Sequence, residues 1–133
     1  MDRKYERPTV LLVEDDEAVQ RFLQVRVGDE VRLLQARTVM EAIRLFAEYW
    51  SRGDLDAIIT DGALPSGSEE EELTAVKFVT GIRQFGFRGP IIPISSSRRM
   101  QADLIKAGAD LRYQCSKNEA ADMVRVVLGA LSS

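Results

Sequence analysis

Val10-Leu11-Leu12-Val13-Glu14-Asp15-Asp16 is the stretch whose reading decides the fold. Four successive apolar residues, two of them β-branched, make a strand buried on both faces. The strand runs directly into three carboxylates. Like charges within about 4–6 Å raise one another's pKa unless a cation sits among them. Two outcomes are open. Either the acids splay into water, with Asp16 capping the next helix, or they hold a hard cation through oxygen ligands.

Outward from this strand the pattern alternates. A stripe of Val19, Phe22, Leu23 and Val27 predicts a helix that Gly28 ends, and residues 31–36 read as a second strand. Thr38 and Glu41, three apart, predict a capping box opening a helix with Ala42, Ile43, Phe46 and Tyr49 inward. Residues 55–60 form a third strand that ends on Asp61. A loop holding Glu69-Glu70-Glu71-Glu72 leads to a helix over 73–85. Those four acids read as a solvated loop. Residues 91–95 predict a fourth strand, although Pro93 removes a ladder donor from it and argues for a bulge or a free edge. A helix over 98–107, a fifth strand over 111–115 and a last helix behind Ser116 and Glu119 complete the chain.

Strands alternating with helices require a parallel sheet covered on both faces, because right-handed crossovers put the helices there. The expected organisation is a short tail over 1–8 and one α/β domain over 9–133. Composition agrees: 133 residues, 45% hydrophobic and 29% charged, suit one ordinary domain. A net charge of −3 offers no basic face for nucleic acid, and no stretch is apolar enough to span a bilayer. Cys115, the only cysteine, excludes an internal disulfide and suits a reducing cytoplasm; it reads as a small core residue. The absence of histidine excludes a histidine triad, the common zinc sites and a phosphohistidine donor.

The strand ends carry the chemistry: Glu14 and Asp15, then Asp61, then Ser95 and Ser96, with Lys117 past the fifth. Carboxylates for Mg²⁺, a hydroxyl for a phosphoryl oxygen and a lysine as point charge are the parts phosphoryl transfer uses. The segments VLLVEDD (10–16), DAIITDGALPSG (56–67), PIIPISS (90–96) and AGAD (107–110) together resemble the receiver domain of two-component response regulators.

The resemblance implies a flavodoxin-like, doubly wound, five-stranded sheet of order 2-1-3-4-5. It implies Asp61 as phospho-acceptor from a histidine kinase or phosphotransfer protein. Asp15 and Asp61 would bind Mg²⁺ directly, Glu14 through water, and Ala63 through its carbonyl. Ser95 matches the switch hydroxyl, Ser96 the small residue leaving the acceptor accessible, and Tyr113 the aromatic that reports switching. Output would pass to another protein through the fourth helix, fifth strand and fifth helix, with a homodimer as one form. No enzymatic turnover beyond slow self-dephosphorylation is implied, and neither nucleic acid nor membrane is a partner of such a domain.

The lysine departs from the family pattern. Receivers carry a Lys-Pro pair seven residues after the glycine of the Gly-Ala-Asp turn, where this chain has Cys115. Lys117 lies two places beyond, without a proline, and reads equally as the first residue of a capped helix. A rival reading is therefore a phosphorylation-independent pseudo-receiver. A third is an aspartyl phosphohydrolase, although Ala63 stands where such enzymes place a second acid.

Overall fold

The structure is a computed structural model describing residues 7–132, the side chain of Ser132 apart. Of the expected tail over 1–8, residues 1–6 lie outside the described residues. Four parallel strands, β1 (Thr9–Val13), β2 (Arg32–Ala36), β3 (Ala57–Thr60) and β4 (Ile91–Pro93), lie in the order β2-β1-β3-β4. Five helices connect and follow them: α1 (Glu17–Val27), α2 (Val39–Ser51), α3 (Ala75–Phe85), α4 (Arg98–Ala107) and α5 (Ala120–Ser132). This is the expected doubly wound α/β fold.

Side-chain alternation along β1 sorts the core in two. Val10 and Leu12 face a cluster completed by Leu23 and Val27 of α1 and by Val124 and Val127 of α5. Leu11 and Val13 face the opposite cluster, with Phe46 of α2, Phe78 of α3 and Leu104 of α4. Every β1 residue is buried, which is why the strand reads as an unbroken apolar run rather than an alternating one. The caps follow the sequence. Asp16 accepts from Ala18 N–H, and Thr38 from Glu41 N–H. The Glu41 carboxylate accepts from Arg37 N–H and from the Thr38 hydroxyl rather than from Thr38 N–H, so only half of that capping box forms. Ser116 and Glu119 make theirs completely.

The fifth strand is a correction. Residues 111–115 hold a 3₁₀ turn, Leu111–Tyr113, and a single parallel bridge between Ile94 and Cys115. Pro93 explains part of this. Ile94 N–H donates inward to Thr60, 2.9 Å away. The nitrogen at 93 therefore faces the outer edge, where a fifth strand needs a donor that proline lacks. Spacing explains the rest. Asp110 N–H is bonded to Ile91 and Cys115 N–H to Pro93, so five residues on one side span two on the other. The surplus cannot lie flat in a ladder. It is wound into the tighter 3₁₀ turn, which rises about 2.0 Å per residue against about 3.3 Å for a strand.

Candidate functional site

The strand order reverses between β1 and β3, and the region beyond their carboxyl ends is the usual ligand position in such sheets. Glu14 and Asp61 are the first residues past those ends. The ladder still holds their backbones: Glu14 N–H donates to Ala36 and Asp61 N–H to Val13, at 2.9 and 3.0 Å. Gln20, buried on the inner face of α1, donates its amide to the carbonyls of Glu14 at 2.8 Å and Ala36 at 3.1 Å. It stitches the β1 and β2 ends together. The sequence reading did not single it out, although a glutamine three and seven residues ahead of Leu23 and Val27 sits on their stripe.

Glu14 is fully buried and accepts from Asp16 N–H at 2.9 Å. Asp61 is buried as well, and its Oδ1 accepts from Gly62 N–H at 2.6 Å and Ala63 N–H at 3.5 Å. Asp15 is exposed at the lip. Oxygens of Glu14, Asp15 and Asp61 all lie within 4.8 Å of one another. The three acids therefore converge rather than splay.

Lys117 joins them. Its Nζ stands 2.8 Å from Glu14 Oε1 and 3.0 Å from Asp61 Oδ2. The two-residue delay in sequence is absorbed by the 3₁₀ turn ahead of Cys115, and the long lysine stem covers the remainder. Burial pushes the Glu14 carboxyl above its ordinary value; Lys117 and Asp16 N–H pull it back in part, while the Asp61 charge adds to the rise. Burial disfavours the Lys117 ammonium, but its bonds to Glu14 and Asp61 outweigh that and hold it above its usual value.

The donor set is all hard oxygen, the ligand type Mg²⁺ takes, gathered within 4.8 Å. Ala63 is exposed two residues past Asp61.

Ser95 is half-buried just past Ile94, and its hydroxyl accepts from Ser97 N–H at 3.2 Å rather than turning to Asp61. Ser96 is exposed. Tyr113 is buried in the 3₁₀ turn, with the Arg112 guanidinium 5.0 Å from its ring centre. Cys115 is buried, and burial, reinforced by Glu119, pushes its thiol up to about 11. Glu69 to Glu72 are exposed. Their loop is tied to α2 by Val39 and Met40 N–H groups, which donate to Pro65 and Ser66 carbonyls at 3.0 Å each.

No protein-family model matches the chain. The KDP operon transcriptional regulatory protein KdpE of Escherichia coli is 34% identical over 105 residues. That match takes in 76% of this chain and 41% of KdpE, so the chain spans well under half of that relative. Among solved structures, the N-terminal domain of an uncharacterized protein from Wolinella succinogenes superposes with a TM-score of 0.74 at 23% identity, covering 95% of this chain and 94% of that one. The signal receiver domain of a putative Luxo repressor from Vibrio parahaemolyticus gives 0.70 at 24%, covering 93% and 88%. The CheX–CheY–BeF3–Mg²⁺ complex from Borrelia burgdorferi gives 0.69 at 17%, covering 91% and 89%.

Proposed function

We propose, for a chain that is a response-regulator receiver domain of two-component signalling, that Asp61 accepts a phosphoryl group from a partner histidine kinase or phosphotransfer protein. The carrying observation is the meeting of Asp15, Glu14, Asp61 and Lys117 at one lip. Asp15, Asp61 and the Ala63 carbonyl would hold Mg²⁺ directly and Glu14 through water. When bound, the cation neutralises the clustered acids and the anionic donor, which is the chemistry the cluster otherwise lacks. A structural neighbour, the Borrelia burgdorferi complex, contains BeF3 and Mg²⁺.

The residues divide the work. Gly62 and Ala63 N–H groups steady Asp61 Oδ1, and Oδ2, which faces Lys117 at 3.0 Å, would be the attacking oxygen. Oδ2 forms the new O–P bond as the donor's P–N bond breaks, and the electron pair leaves with the imidazole. The acceptor's charge goes from −1 to roughly −2. Lys117 then follows the phosphoryl oxygens, and Ser95 gives up its bond with Ser97 to donate to them. Tyr113, on the same junction, reports the change. A population shift of this kind needs a differential of only a few kcal/mol. Output passes to another protein, the domain turns over nothing beyond slow loss of its own phosphoryl group, and it works in the cytoplasm. No helix among the described residues is long and apolar enough to cross a membrane.

Beryllofluoride with Mg²⁺ is expected to shift the amide signals of Ser95, Tyr113 and Lys117, and Asp15→Ala to weaken that response more than tenfold, about 1.4 kcal/mol. Unchanged spectra at millimolar Mg²⁺ would leave the phosphorylation-independent module as the better description.

A further inference from the structure

Away from the acid lip, α2 and α3 part to leave an open apolar groove of about 400 Å³. We infer that this groove binds a small aromatic carboxylate.

The size falls in the range of ligand pockets, about 300–1,000 Å³. One wall is preformed. Trp50 stacks on Phe46 with ring centres 5.3 Å apart and planes 15° from parallel, and Phe78 and Phe87 pin Phe46 edge-on. Phe85 across the groove is 74% exposed and Ile43 is 39% exposed, a cost that a bound apolar body would remove. Flat aromatic walls favour a flat aromatic guest, through offset stacking as well as burial. Gly81 shapes the opening: a Cβ built there would meet nothing within 4 Å, so the groove includes the room of a missing side chain.

Charge fixes the other half of the ligand. Lys77 is the one charged residue among the described residues that line the groove. Its ammonium donates to the Glu72 carbonyl at 2.8 Å and makes no ion pair among the described residues. Two N–H donors remain for an anion, and a carboxylate would take them in charge-assisted bonds. This site shares no side chain with the acid lip and stands whether or not Asp61 is phosphorylated.

Trp50 is the only tryptophan, so one indole N–H signal reports the groove in a nitrogen-labelled sample. Titration with 1-naphthoate is expected to move that signal saturably, with half-saturation below about a millimolar. Lys77→Ala should weaken binding about fivefold or more. The uncharged 1-naphthalenemethanol should bind more weakly than naphthoate and be indifferent to that change. Gly81→Leu should abolish binding by filling the gap, and Ala47→Met on the opposite wall repeats the test should the first variant fold poorly. A linear, non-saturating shift, or equal binding to the filled variants, would overturn the site. Equal binding of naphthoate and the alcohol would overturn its carboxylate half. Movement of the indole signal on simple dilution would show a second copy as the occupant and overturn the assignment.

Discussion

The two halves of the acid lip are built differently. Glu14, Asp15 and Asp61 follow β1 and β3, which pair along four positions and have a partner strand on both sides. Ser95 and Lys117 follow β4, three residues long, and a single bridge at Cys115. One half is held by continuous ladders, the other by isolated bonds. Residues that must attack and hold a cation gain from fixed positions. Residues that must move toward a new phosphoryl group cannot be locked in a ladder. The division of rigidity thus matches the division of roles proposed for the residues.

Measurements can break or sharpen this contrast. The largest effect is expected in the laddered half. Ile59 is fully buried in β3, and Ile59→Ala should cost about 2–5 kcal/mol in chemical denaturation. A loss below about 1 kcal/mol would mean that β3 is not a rigid centre of the sheet. Next is Cys115, at the bridge. With the thiol near 11 instead of its ordinary 9.0, its thiolate fraction at pH 8 falls roughly 100-fold, so alkylation of the folded protein should be slower than that of the unfolded chain by about that factor or more. Equal rates would show the junction open rather than bridged. The smallest effect concerns hydrogen exchange. The Cys115 amide, bonded to Pro93 at 3.3 Å, should exchange about tenfold faster or more than the Asp61 amide, bonded to Val13 at 3.0 Å. Equal protection would erase the distinction between the halves.

The same contrast marks what the sequence could reveal. The laddered half was legible because its signals are local and redundant: an apolar run, three acids at its end, a second apolar strand ending in Asp61. The fifth strand was not. Residues 111–115 have strand-like composition, and whether they pair depends on the spacing of Asp110 and Cys115 against Ile91 and Pro93. Pro93 gave a warning about the fourth strand, but its missing donor acts on the neighbour. Lys117 was ambiguous for the same reason: counted along the chain it arrives late, and only the 3₁₀ turn restores its place beside Glu14. Gln20 was hidden by its type, a polar residue on an apolar stripe. The α2–α3 groove was invisible, since Ile43 and Phe46 read as an inward helix face until the helices are seen to part.

The most direct test of the central claim is phosphoryl incorporation itself. Intact-mass measurement after incubation with acetyl phosphate and Mg²⁺ is expected to show one added phosphoryl group, lost on chelating Mg²⁺ beforehand and absent from Asp61→Asn. No added mass on the wild-type chain, or the same mass on Asp61→Asn, would contradict it.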